Sequence, residues 1–126
     1  GEISEVWFDG AKGEGAKDME YDFDGFWGIV REKQPNAVLF SDAGPDVRWV
    51  GNERGFAGET NWSTITREGI QIGKADTKLL NMGDSAGRDW MVAECDVSVR
   101  PGWFYHAKED TMVKSVAELV DIYYKS

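Results

Sequence analysis

The first forty residues constrain the fold more than any other stretch. Residues 3–8 form a short, apolar-rich strand candidate that stops at Asp9-Gly10. Beyond a glycine-rich loop, Phe23, Phe26, Trp27 and Val30 recur at i, i+3, i+4, i+7, the apolar period of a helix. Asp24 is placed to cap that helix and Pro35-Asn36 to close it. Ala37-Val38-Leu39-Phe40 then reads as a short buried strand, followed by a turn-rich run over 41–46. Strand, helix, strand in that order is one βαβ unit, two parallel strands joined by a right-handed crossover. The fold class is therefore α/β.

The rest of the chain is less regular. Residues 46–89 are rich in Gly, Asn, Asp, Thr and Trp, with only weak strand candidates. So long a loop-like stretch in a compact domain usually carries function. Residues 90–99 read as another strand region, broken at Pro101-Gly102. The last element is a helix, with Ser115 and Glu118 as a capping box and Val116, Leu119, Val120 and Tyr123 as its apolar stripe. A parallel βα array that starts on a strand and ends on a helix leaves strand edges without neighbours. The expectation is part of a larger α/β array, or a small domain that dimerises to cover its edges.

Composition removes several classes of function. At 126 residues the chain is one domain at most. It has 14 basic against 23 acidic residues, a net charge of −9, which argues against nucleic-acid and anionic-membrane partners. No apolar run approaches the roughly 18–20 residues that span a bilayer, and no signal peptide is visible. One cysteine, Cys95, excludes an internal disulfide and a multi-cysteine zinc site. Cys95 itself reads as a buried strand residue. One histidine, His106, excludes the two-histidine zinc helix. Six Trp, four Tyr and six Phe point to a heavy aromatic core or a ligand surface of flat rings.

Three stretches could carry chemistry. In Val6-Trp7-Phe8-Asp9-Gly10, a carboxylate ends a parallel strand, on the face where α/β folds place their sites. Gly10 permits close approach of a ligand; an ordinary strand-ending turn is the plain alternative. In Arg48-Trp49-Val50-Gly51-Asn52-Glu53, an acid lies close to a Trp and an Arg, where a solvated loop acid would look the same. Asp9 and Glu53 make a possible carboxylate pair, the requirement of glycoside hydrolysis. There the acid must be held neutral while the nucleophile stays ionised. The third stretch, Glu94-Cys95-Asp96 through Arg100-Pro101-Gly102-Trp103-Phe104-Tyr105-His106, gathers acids, a cation, three rings and the histidine. It suits either a sugar-binding surface or a buried aromatic cluster. Glu20, Asp22, Asp24 and Gly25 imitate a calcium loop, but Arg31 stands where its last ligand should be. Lys12, Gly13 and Gly15 lack the spacing of a phosphate loop.

These motifs together resemble the α-L-fucosidases of glycoside hydrolase family 29. Glu5-Val6-Trp7-Phe8-Asp9-Gly10, Arg48-Trp49-Val50-Gly51-Asn52-Glu53, the stretch 93–106 and residues 115–126 carry the resemblance. It is most similar to the bacterial branch that prefers α-1,3/1,4-linked fucose. The resemblance implies a segment of a (β/α)8 TIM-like barrel with parallel strands, incomplete, with residues 1–126 its middle-to-late part and no second domain. It implies a retaining mechanism. Asp9 would be the nucleophile and Glu53 the general acid/base, with Glu94 as second choice. Trp7, Arg48, Trp49 and Trp103 would line the fucose and leaving-group subsites. No metal and no cofactor are implied, and the partner would be a fucosylated oligosaccharide or glycoconjugate.

A complete barrel of this kind runs to about 250 residues. The remainder of the barrel, or another chain, would then be needed, and the isolated chain should be a weak or inactive fucosidase. Bacterial relatives act on glycans in the periplasm or outside the cell, so that location is expected. A non-catalytic carbohydrate-binding domain, or an assembly fragment, is the competing function.

Overall fold

The computed structural model describes residues 1–9, 15 and 18–126. Gly10, Lys12 and Gly13, and with them the expectations about close approach and phosphate loops, lie outside the described residues. The leading βαβ unit is present: β1 (Glu5–Trp7), α1 (Phe23–Lys33) and β2 (Val38–Ser41) follow in order. β1 and β2 are parallel, with Trp7 opposite Phe40. Both strands are shorter than or offset from the expected runs. The cap of α1 is Asp22, not Asp24: its Oδ1 accepts from Gly25 N at 2.9 Å. Asp24 lies inside the first turn, where a negative charge favours the helix end.

A five-residue connection, 42–46, returns the chain to start β3 (Val47–Trp49) parallel to β2. Parallel neighbours usually need a longer crossover. Here Asp46 holds the tight return. Its backbone N–H donates to Leu39 O at 3.1 Å, and its carboxylate accepts from Leu39 N at 2.8 Å. Arg31 of α1 closes on the same carboxylate at 2.5 Å. Burial opposes the charge of Asp46, but Arg31 and the Leu39 amide outweigh it and hold the carboxyl below its usual range.

The stretch expected to be irregular contains β4 (Thr64–Ile65) and a helix, α2 (Thr77–Met82). α2 has six residues, too few for an apolar period to show. Its N-cap is Asp76, which accepts from Lys78 N. The expected strand region at 90–99 is two strands in two sheets. β5 (Asp89–Trp90) runs antiparallel to β4, and β6 (Ala93–Glu94) runs parallel to β3. The main sheet therefore has four parallel strands in the order β1-β2-β3-β6. Cys95 lies just beyond β6 and is half-buried, so it is not the buried strand residue expected. The closing helix, α3 (Val116–Lys125), has the expected capping box, with Ser115 and Glu118 bonded reciprocally.

Register sorts the side chains of the sheet. Glu5, Trp7, Val38, Phe40, Val47, Trp49 and Glu94 share one face. Leu39, Ser41 and Arg48 share the other, and all three are inaccessible to solvent. Arg48 was expected in a sugar subsite. The structure corrects this. Its Nε donates to Leu80 O at 3.0 Å and its Nη2 to Trp62 O at 2.8 Å. Its Nη1 donates to Met91 O. One guanidinium thus joins β3 to α2, to the start of the second sheet and to the approach to β6.

Two substitutions test this frame. Arg48→Met leaves three carbonyls without a donor, at about 1–3 kcal/mol for each orphaned group. The expected loss of about 3 kcal/mol or more reads as a lowered urea midpoint. Gly51, just past β3, has φ +83°, and a Cβ there would lie 2.7 Å from Thr77 O. Gly51→Ala should cost about 1–3 kcal/mol and lower the midpoint of thermal unfolding followed by circular dichroism.

Candidate active site

A cleft of about 180 Å³ opens where the strands end. Its lining residues are Trp7, Phe8, Asp9, Phe40, Asp42, Trp49, Glu53 and Asp96. The two carboxylates paired from the sequence, Asp9 and Glu53, therefore share one cavity despite 44 intervening positions in the chain (53 − 9 = 44). Asp9 arrives there because β1 ends at Trp7, two residues before it. The C-terminal ends of parallel strands are where α/β folds gather reactive groups.

Glu53 is carried by a loop that the chain braces from within. Asn52 Oδ1 accepts from Arg54 N at 2.9 Å, an Asx turn. Asn52 Nδ2 donates to Phe56 O at 3.3 Å. Arg54 bridges to Val97 in antiparallel fashion, and α3 closes over the loop. A Cβ on Gly55 would meet Ile122 Cγ2 at 2.6 Å and Val97 Cβ at 2.8 Å. Trp103 completes the support, its indole N–H donating to Glu53 Oε2 at 3.1 Å.

That contact belongs to a pattern. Trp49 Nε1 donates to Asp96 Oδ1 at 2.7 Å, and Trp7 Nε1 donates to Glu94 Oε1 at 3.0 Å. Each of the three tryptophans picked out in the sequence turns its polar edge onto a carboxyl group. Trp7 also stacks on Phe40, with ring centroids 3.9 Å apart and planes 11° apart. The cleft thus has aromatic walls and acidic corners, the composition of a site for a neutral polyhydroxyl ligand.

Placement differs among the remaining candidates. Trp7 and Trp49 line the cleft, Trp103 touches it through Glu53, and Arg48 lies behind the sheet. Glu94 is not among the cleft-lining residues; its carboxyl is engaged by Trp7 and by Glu5. His106 is exposed and leads into the single turn Ala107–Glu109. Asp42 was not singled out in the sequence. The signal for it was available: like Asp9, it lies just past the C-terminal end of a strand of the parallel sheet. Its Oδ2 accepts from Gly73 N at 2.7 Å, and burial raises its carboxyl above the usual range against that bond. Asp96 appeared in the sequence only as a member of the third cluster.

No family model matches the sequence. Known proteins do. The chain is 56% identical over all 126 residues to Alpha-L-fucosidase 1 of Arabidopsis thaliana, and it spans 24% of that protein. Among solved structures, it matches a glycoside hydrolase 29 family member from an unknown rumen bacterium. That match has a TM-score of 0.84 and 39% identity, covering 100% of this chain and 24% of the other. It also matches a Ruminococcus gnavus GH29 fucosidase in complex with fucose, at a TM-score of 0.80 and 35% identity. There the coverage is 99% of this chain and 26% of the other. The chain spans about a quarter of the length of these relatives. Sequence and structure relatives alike make this stretch similar to part of the α-L-fucosidases and GH29 fucosidases they name.

Proposed function

We propose that this chain supplies the reacting carboxyl groups of a retaining α-L-fucosidase, as part of a larger (β/α)8 barrel. The observation that carries the reading is the meeting of Asp9 and Glu53 in one aromatic-walled cleft. In the first half-reaction, the Asp9 carboxylate attacks the anomeric carbon of fucose. The bond to the leaving oxygen breaks, and that oxygen takes the Glu53 proton. A covalent fucosyl-enzyme results. In the second, water gives a proton to the Glu53 carboxylate and attacks the same carbon, releasing Asp9. Two inversions give net retention. Neither half needs a metal or a cofactor.

The walls fit the sugar. Trp7, stacked on Phe40, presents a flat ring to an apolar sugar face, and Trp49 forms another wall. Asp42 and Asp96 supply acceptors for hydroxyl groups. Trp103 borders the leaving-group side through its bond to Glu53. A preference for α-1,3/1,4-linked fucose, and work on glycans in the periplasm or outside the cell, belong to the same proposal. They rest on the resemblance of the four sequence motifs.

The 126-residue chain alone should release little chromophore from an aryl α-L-fucoside, because proximity catalysis needs the substrate gripped from all sides. The test therefore places this stretch in the frame of the Arabidopsis relative, in exchange for the matching quarter. The chimera should hydrolyse the aryl fucoside, and Asp9→Ala should lower kcat/KM by about 10³-fold or more. Glu53→Gln should slow a poor leaving group far more than a nitrophenol, which departs without a proton. Full activity in Asp9→Ala would overturn the reading. So would loss of hydrolysis equal for both leaving groups in Glu53→Gln, which would favour a non-catalytic, sugar-binding role for this loop.

A further inference from the structure

Glu94 has no part in the proposed chemistry, yet its surroundings are specific. It stands on β6 and Glu5 on β1, the two edge strands of the main sheet, and both project from the same face. Between them that face presents Val38 and Phe40 from β2, and Val47 and Trp49 from β3. None of these four is titratable. The charged groups facing Glu94 are Glu5 and, just beyond β6, Asp96.

Two interactions meet at this carboxyl. It accepts the Trp7 indole N–H at 3.0 Å. It faces the Glu5 carboxyl, whose hydrogen bonding and like charge both favour its protonated form. Two carboxyl groups can share a hydrogen bond only while one holds a proton. The indole so held is the one stacked on Phe40 beside Asp9.

We infer that Glu94 is a positioning residue: protonated, it bridges Glu5 to the Trp7 indole and locks the aromatic wall of the cleft. Ionised, it repels Glu5 and Asp96, and the wall loosens. The direction agrees with the electrostatics. Burial first, and then the hydrogen bond and charge of Glu5, push the Glu94 carboxyl up to about 7, against the opposing pull of the Trp7 indole. Below that value the bridge is closed, and as pH rises through it the bridge opens. The inference uses the proposed sugar site only for what the wall would serve.

The experiment reads the wall without any substrate, so its failure is distinct from failure of the fucosidase proposal. In the ¹⁵N-labelled full chain, the Trp7 indole N–H resonance is assigned by its loss in Trp7→Phe and followed from pH 5 to 9. It should titrate with a midpoint near 7. Glu94→Gln, which keeps an acceptor for Trp7 and a donor for Glu5, should hold the resonance at its low-pH position throughout. Glu5→Gln should lower the midpoint by roughly one unit, because it removes a like charge. A Trp7 resonance flat across the range in the unsubstituted chain would overturn the inference. So would an unchanged titration in Glu94→Gln.

Discussion

The guanidinium of Arg48 holds the two halves of this structure together. It is inaccessible to solvent and donates to the carbonyls of Trp62, Leu80 and Met91. A buried cation without a carboxylate partner is costly in general, since removal from water must be offset by polar contacts. Here three backbone dipoles supply the compensation, and burial still presses the group toward its neutral form. The result is mechanical. The four-stranded sheet, α2 and the β4–β5 pair share one anchor, and the sheet's opposite face is left for the cleft.

That division of labour explains how a short parallel sheet can present a site. One face is filled by Leu39, Ser41 and Arg48. The other carries rings and acids, ordered by register across four strands. The two carboxyls proposed to react stand on separate supports: Asp9 just past the end of β1, Glu53 on a loop tied to α3 and Trp103. Pre-organised groups of this kind cost little to arrange at the moment of reaction.

Much of the frame was legible in the sequence where a local rule operates. The apolar period of α1 and the reciprocal cap of α3 are contained in a few adjacent residues, and both elements are present. The pairing of Asp9 with Glu53 was inferred from chemistry and family resemblance, and the cavity contains both. What failed depends on distant partners. Arg48 was assigned to a subsite by the family resemblance; the carbonyls that claim it are 14, 32 and 43 positions away. α2 was too short to show a period. β5 and β6 looked like one strand because only pairing, not composition, separates them.

The charge of the cleft has a consequence for the proposed substrate. Asp9, Asp42, Glu53 and Asp96 line it, and no lysine, arginine or histidine does among the described residues. The surrounding chain has a net charge of −9. A neutral sugar feels no steering force in such a field, so its capture should hardly vary with ionic strength. A glycan bearing sulfate or sialic acid beside its fucose would be repelled on approach, most strongly in dilute buffer. In the proposed fucosidase, the acidic corners would thus also sort substrates, favouring neutral branches over acidic ones.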